Sequence, residues 1–169
     1  GALNTVQITG PGDVVITGGF ADYNVAQTYG GTTTIDGGGL GAEVTTIPAL
    51  VTGVGGGGSV AFEDVGNVTH TGVLAGSLFV YKTQLGVLTL GGNNPYTGGT
   101  LLSTGTGGLA ISSDTAIGTG PLTLFDPTNT LEASGSRTLA NVLSFNSGAT
   151  FQGAGDFNFT DATAKVLNG

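Results

Sequence analysis

The sequence predicts an all-β protein folded as a right-handed parallel β-helix, a β-solenoid with about 20 to 22 residues in each coil. Signals for helices are almost absent, because glycine takes 34 of the 169 positions and interrupts every window of helical length. Signals for strands are frequent, since the chain has 27 threonines and its apolar residues come in short alternating runs. Glycine, asparagine and aspartate between these runs supply turns, so many short strands are expected.

The apolar runs also repeat along the chain, which favours a solenoid over other all-β folds. Two series of apolar residues recur at steps of about 21 residues. The first series is Leu3, Val25, Ile47, Val68, Leu88, Leu109, Leu131 and Phe151. The second is Val15, Ile35, Val60, Val80, Leu102, Leu124, Phe145 and Val166. Stacked coils bury their core only against each other, and the end coils expose open sheet edges. The alternative fold is a β-sandwich completed by a donated strand.

Charge and composition exclude several classes of function. The chain carries 11 acidic and 3 basic residues, a net charge of -8, which leaves too few cations to follow a phosphate backbone. It has no cysteine and one histidine, which excludes disulfide frameworks, thiolate zinc sites and multi-histidine metal sites. No apolar run is long enough for a membrane helix, so no membrane insertion is expected. The sequence begins at Gly1 without methionine, and we expect a processed or partial chain that is secreted or held at the cell surface.

The second half of the chain carries a specific motif. The stretch GVLTLGGNNPYTGGT covers residues 86–100 and follows the pair Lys82-Thr83. Its further parts are LAI at 109–111, AIGTGPLTL at 116–124, RTLAN at 137–141 and FQG at 151–153. In order and spacing, residues 77–160 resemble the autotransporter-associated β-strand repeat of bacterial surface proteins, although Pro95 stands where that motif has threonine.

This resemblance implies a secreted, surface-associated parallel β-helix. It divides the chain into two regions. Residues 77–169 are expected to form a β-solenoid of the repeat type. Residues 1–76 resemble the repeat only in their general composition and not in its motifs. We expect a Gly- and Thr-rich β region there that forms N-terminal coils or an elaborated β segment.

One loop of the motif is a candidate contact for glycans. It contains Asn93, Asn94 and Tyr96, and a tyrosine ring can stack on a sugar. The alternative is a structural corner, in which Tyr96 packs over the coil and the asparagines bond to backbone groups. An adhesin would need an exposed aromatic patch, and the candidates for it are Tyr23, Tyr29, Tyr81 and Tyr96.

The carboxylates show no catalytic pattern. Glycoside hydrolysis needs two acids facing one groove. Glu63 and Asp64 are adjacent, so they point to opposite faces of a strand, and the other acids are scattered singly. Calcium is the metal that Asp36 and the glycines after it would suit, but a plain Asp-Gly turn explains them better, and no cofactor is expected. His70 is expected to be an exposed strand residue.

The favoured hypothesis is a non-enzymatic structural subunit that associates end to end with copies of itself into a bacterial surface filament or layer. The residues expected to meet there are Leu3, Val6 and Ile8 at one end and Phe157, Phe159, Val166 and Leu167 at the other. One alternative is an adhesin or autotransporter passenger segment that binds glycans or matrix. Another is a polysaccharide-active β-helix enzyme, which the scattered acids disfavour. For Lys82 and Arg137 the sequence leaves open whether they neutralise a carboxylate, bind carbonyl groups or dock an acidic neighbour.

Overall fold

The computed structural model describes residues 2–4, 7–103, 105, 107–161 and 166–167. This part of the chain contains 22 short strands and no helix. In chain order the strands are β1 (Ala2–Asn4), β2 (Thr9–Gly10), β3 (Val14–Thr17), β4 (Phe20–Tyr23), β5 (Thr28–Tyr29), β6 (Thr33–Asp36), β7 (Gly39–Ala42), β8 (Leu50–Val54), β9 (Ser59–Phe62), β10 (Val68–His70), β11 (Val73–Gly76), β12 (Phe79–Lys82), β13 (Val87–Leu90), β14 (Gly99–Leu102), β15 (Gly108–Ile111), β16 (Leu122–Leu124), β17 (Thr130–Ala133), β18 (Arg137–Leu139), β19 (Leu143–Phe145), β20 (Thr150–Gly153), β21 (Phe157–Phe159) and β22 (Val166–Leu167).

A nine-stranded parallel sheet, called the long sheet below, runs the length of the molecule. Its order is β1-β4-β7-β9-β12-β14-β16-β19-β22, with each strand one turn further along the chain. Facing residues are 19 apart at Ala2 and Ala21, and 22 apart at Thr100 and Leu122. With strands about 4.8 Å apart, the sheet is about 38 Å long. The prediction of a parallel β-solenoid is confirmed, and the β-sandwich alternative is wrong because the ladders are parallel.

Shorter parallel sheets complete the turns. A four-stranded sheet of β3, β6, β8 and β11 lies in the first half, and a five-stranded sheet of β10, β13, β15, β17 and β20 lies in the second. Two pairs, β2 with β5 and β18 with β21, supply the remaining segments. The four-stranded sheet gives way to the five-stranded one at residues 68–76, while the long sheet continues across this point. The described coils before and after residue 76 therefore belong to the same stack.

The strand register confirms the later part of the first predicted apolar row. One continuous row consists of Val68, Leu88, Leu109, Leu131 and Phe151. The earlier part is wrong, because Leu3 faces Asp22 instead of Val25. The second predicted row is correct for Val60 with Val80 and for Leu102, Leu124 and Phe145. It is one residue out at Val15, which faces Thr34, and at Val166, which faces Ser144. It is also broken at Ile35, which faces Gly53 in another sheet, and at Val80, which faces Thr100 instead of Leu102.

Apolar side chains fill the interior along the whole stack. In β13, Leu88 and Leu90 are fully buried, whereas Thr89 between them is partly exposed. This alternation follows from the pleat of a strand, which sends successive side chains to opposite faces. Burial of the apolar set against neighbouring coils supplies the main stabilising contribution.

Glycine is required where consecutive coils touch backbone to backbone. Gly76 has a φ of 72°, and a Cβ at this position would collide with the carbonyl oxygen of Gly53 in the coil before. The Ser77 amide donates a hydrogen bond to the same oxygen at 3.1 Å, which holds the two turns together. At this corner the glycine is thus both a conformational and a packing requirement.

Candidate functional site

Four phenylalanines gather at the last turn of the described solenoid. Phe145 comes from β19, Phe151 from β20, and Phe157 and Phe159 from β21. Neighbouring rings have centroids 5.7 to 5.9 Å apart, and they meet edge to face except for the stacked pair of Phe157 and Phe159. We call these four residues the phenylalanine cup. Together with Leu143 they line an open cavity of about 610 Å³.

The cup is apolar and partly open to solvent. Phe145 is 4% exposed, and the Phe151 ring of β20 packs against it, but Phe151 itself is 44% exposed. Phe151 ends the apolar row that begins at Val68, so it occupies a core position with no further described coil to cover it. Large exposed apolar surface rimmed by polar groups is typical of an interaction site.

The opposite end of the solenoid presents β1, β2 and β3, which are the first strands of three sheets. Val15 of β3 is 57% exposed, while its neighbour Ile16 is 9% exposed. Ile8, just before β2, is half-buried against the core. Each end of the stack therefore offers an end strand of the long sheet, β1 at one end and β22 at the other.

The residues predicted to meet at these ends are distributed as follows. At one end, Phe157 and Phe159 belong to the cup, while Val166 and Leu167 lie in β22 and face Ser144 and Phe145. At the other end, Ile8 is half-buried and Leu3 faces Asp22. Val6 lies outside the described residues. Sequence reasoning did not assign Phe145 and Phe151 to the end surface. The signal that identifies them is that both stand near the end of an apolar row.

Asn94 is a corner residue that ties three coils together. It is 1% exposed. Its Oδ1 accepts a hydrogen bond from the Leu74 amide of the coil before at 3.0 Å. Its Nδ2 donates to the carbonyl oxygens of Ala116 in the coil after, at 2.8 Å, and of Gly91 in its own coil, at 3.1 Å. The predicted glycan contact is therefore wrong for Asn94, whereas Asn93 beside it is exposed.

Tyr96 is a core residue. It is 0% exposed and shares a hydrogen bond of 2.5 Å with the Thr100 hydroxyl, and burial raises the pKa of its phenol. Tyr29 and Thr33 make the same contact four residues apart in the first half. A glycan cannot reach Tyr96 in this fold, so that prediction is wrong and the structural alternative holds. Tyr23 is also buried, and Tyr29 and Tyr81 are half-buried, so the tyrosines form no exposed patch in the described chain.

Four carboxylates cap backbone amides of a neighbouring coil. Asp13 Oδ1 accepts from the Thr32 amide at 2.6 Å, and Asp64 Oδ2 accepts from the Val44 amide at 2.9 Å. The hydrogen bonds from Thr32 lower the pKa of Asp13. Asp114 and Asp126 accept in the same way from the amides of Thr138 and Gly105. Asp36 ends β6, and Gly37 follows it with a φ of 73°, as in an Asp-Gly turn.

Three carboxylates, those of Asp22, Glu43 and Glu63, interact in or just after strands of the long sheet. Oxygens of Asp22 and Glu63 are 2.8 and 2.6 Å from the point where a Cβ on Gly41 would stand. Burial, aided by the charges of Asp22 and Glu43, raises the pKa of the Glu63 carboxyl. The described residues contain no group of three or more histidine, aspartate or glutamate side chains able to hold a metal ion. Burial and the repulsion between carboxylates both disfavour the charged form of Glu63, and burial is the larger cause.

The two cations in the described chain have different environments. Lys82 is 1% exposed, and its Nζ donates to the carbonyl oxygens of Asp64 and Leu85 at 3.0 Å each. Arg137 is half-buried and forms an ion pair with Asp114 at 3.7 Å. Of the alternatives left open by the sequence, Lys82 binds carbonyl groups and Arg137 neutralises a carboxylate.

Known proteins supply no further information about the family or function of this chain. No family model, curated protein or solved structure matches this chain. The likeness of residues 77–160 to the autotransporter-associated repeat stays a prediction. Within the described residues, no helix is long and apolar enough to cross a membrane.

His70 is buried, which corrects the expectation of an exposed strand residue. It is 3% exposed, and its ring meets Phe62 edge to face with centroids 5.2 Å apart. Its Nε2 has no hydrogen-bond partner among the described residues. Burial lowers the pKa of the imidazole below its ordinary value of 6.5, because a charged ring is poorly solvated there.

The buried imidazole predicts a loss of stability in mild acid. Below about pH 6.5 the unfolded chain takes up a proton that the folded chain resists, so the free energy of unfolding falls by up to about 1.4 kcal/mol per pH unit. Urea unfolding of the wild type and of His70→Phe between pH 7 and pH 5 measures this. We expect a smaller slope in the variant. Equal slopes in the two proteins would assign the acid sensitivity to other groups.

Proposed function

We propose that this chain is a non-enzymatic structural subunit that associates end to end with copies of itself into an extracellular filament or surface layer. The observation that carries the proposal is the phenylalanine cup, an apolar cavity in the position where a next coil would pack. A second copy supplies β1, the first strand of the long sheet, so its first turn can continue the stack beyond β22. Contacts of this type join unlike ends and lead to open fibres instead of closed dimers.

The charge distribution supports contact between unlike ends. Residues 1–76 contain six acidic residues and no basic residue, whereas residues 77–169 contain five acidic residues and all three basic ones. Contact between two N-terminal halves would bring the more negative regions together. Head-to-tail contact places the more negative half beside the half that holds the cations.

Electron microscopy and sedimentation of the purified chain test the proposal. We expect filaments with an axial repeat of about 43 Å, which is nine strands at about 4.8 Å each. Phe151→Asp should raise the concentration needed for assembly roughly 10- to 100-fold, because a phenylalanine burial worth about 1.5–3 kcal/mol is lost at the contact. Its far-UV circular dichroism should match the wild type, since Phe151 is already 44% exposed.

Phe79→Asp is the matched control. Phe79 is 42% exposed, but it lies on β12 in the middle of the long sheet, away from both ends. The control should assemble like the wild type. A wild-type chain that stays monomeric at high concentration, or equal effects of the two substitutions, would remove the proposal.

A further inference from the structure

We infer that β22 of one copy pairs in parallel with β1 of the next, with Val166 opposite Leu3 of that next copy. This inference rests on the proposed function and names the strand pair through which it would operate. Among the described strands, β1 pairs only with β4, and β22 pairs only with β19. Each thus has one side toward which no described strand is paired, and the backbone groups on such a side can bind another strand.

The long sheet itself selects the register of this contact. One unbroken row of facing residues crosses all nine strands, and its members are Leu3, Asp22, Gly41, Ala61, Tyr81, Leu101, Thr123, Ser144 and Val166. The row has no stagger from one strand to the next. A tenth strand that continues the same pattern therefore places its Leu3 opposite Val166.

Other registers disturb the two faces of the sheet. The row one residue further on runs from Asn4 to Leu167, and it passes through the interior at Phe62 and Lys82, which are 0% and 1% exposed. A shift of one residue would place this inner row of the next copy in line with the outer row. A shift of two residues keeps the faces but slides the next copy by about 6.6 Å along the strands, so its interior would no longer lie over the cup.

The positions of the other strands at the joint follow from this pairing. β20 and β21 belong to the coil of β19, which lies one level below β22. β2 and β3 of the next copy belong to the coil of its β1, which lies one level above β22. They are therefore two strand spacings, about 10 Å, from β20 and β21. The cup lies on one side of this gap, and Ile8 and Ile16 of the next copy, which pack on the core of their own first coils, lie on the other.

The absence of cysteine from the chain allows a direct test. Facing residues on paired strands have Cα atoms about 5 Å apart, within the range that a disulfide spans. Within one copy, Leu3 and Val166 are eight strand spacings apart, about 38 Å, so a disulfide between these positions must join two copies. The double variant Leu3→Cys/Val166→Cys should give a ladder of covalent multimers when oxidised after assembly. A mixture of the two single variants should stop at dimers, because each copy then offers one thiol.

A second facing pair and a control pair complete the design. Asn4→Cys/Leu167→Cys lies one residue further along the same two strands, so it should give the same ladder, and it replaces the first pair if those substitutions prevent assembly. The control is Val15→Cys/Asn158→Cys. Both residues are exposed, but they lie on β3 and β21, about 10 Å apart across the joint, which is too far for a disulfide. The control should assemble without a ladder.

The outcomes separate this inference from the proposed function. Filaments of the facing pairs without a ladder would overturn the inference and leave the proposed function standing. A ladder from the control pair would mean that β1 of the next copy replaces β22 beside β19, with an axial repeat of about 38 Å for eight strands, and it would overturn the inference in the same way. Efficient dimers of Leu3→Cys alone would show contact between like ends and overturn it too. A wild-type chain that forms no polymer would reject both proposals.

Discussion

Replacing Lys82 with methionine is expected to lower the free energy of unfolding by about 3–5 kcal/mol. The Lys82 side chain is 1% exposed, on an interior row between Phe62 and Leu102. Its ammonium group donates to three backbone carbonyls, those of Asp64, Gln84 and Leu85. Methionine keeps most of the volume but removes the donor from the oxygens of Asp64 and Leu85, while the Gln84 oxygen keeps a hydrogen bond from the Gly107 amide at 3.4 Å. Each buried acceptor that loses its partner costs about 1–3 kcal/mol.

Urea denaturation of the Lys82→Met variant measures this loss, and Arg137→Met is its control. Arg137 lies nearer the surface, and its partner Asp114 is 52% exposed, so the ion pair should contribute less than about 1 kcal/mol. The two substitutions remove the same charge, so a difference between them reports the buried carbonyls. If Lys82→Met were as stable as the wild type, the turn after β12 would have to rearrange and satisfy its carbonyls in another way.

Asn94→Leu is expected to cost about 2–4 kcal/mol. Leucine has nearly the same size, but it removes an acceptor from the Leu74 amide and a donor from the carbonyls of Ala116 and Gly91. Because these groups belong to three coils, the loss weakens two inter-coil contacts at once. Thermal unfolding gives the total, and hydrogen exchange at the Leu74 amide gives the local effect, which should be faster exchange.

Asn93→Leu provides the matched comparison for Asn94. Asn93 is the preceding residue, has the same chemistry and is exposed. Its replacement should change stability by no more than about 0.5 kcal/mol. Similar losses at the two positions would mean that the corner is stabilised by its backbone conformation and not by the buried amide.

The repeat was predictable where the strands recur at nearly constant spacing. From Val68 to Phe151 the facing residues step by 20, 21, 22 and 20, and the sequence identifies that row correctly. In the first half, the four-stranded sheet steps by 19 from Val15 to Thr34 and by 23 from Thr52 to Ala75. The turns change in length there, which shifts the alignment of one strand on the next. An alignment that is wrong by one residue still places apolar residues opposite each other, so the sequence does not reveal the error. The correct alignment of these strands is known only from their pairing in the structure.

The candidate site was only partly visible in the sequence. Phe157 and Phe159 are predicted at the end of the stack because they are among the last apolar residues of the chain. The burial of His70 and Lys82 was not predicted. Without a known partner, a polar side chain in a sequence is expected to be exposed. The groups that bind Lys82 in the interior come in part from another coil. The Asp64 carbonyl that Lys82 binds, for example, lies 18 residues earlier in the chain and comes beside Lys82 only when the coils stack.

The corner bonds of this solenoid have a consequence for how its length can change. Asn94, Asp64 and Asp13 each bind backbone groups about one coil away and never further. A whole coil could therefore be duplicated or deleted with its corner residues, and every remaining coil would still have a neighbour of the same kind. The rod is modular in units of one turn, so its length can evolve independently of the chemistry at its two ends.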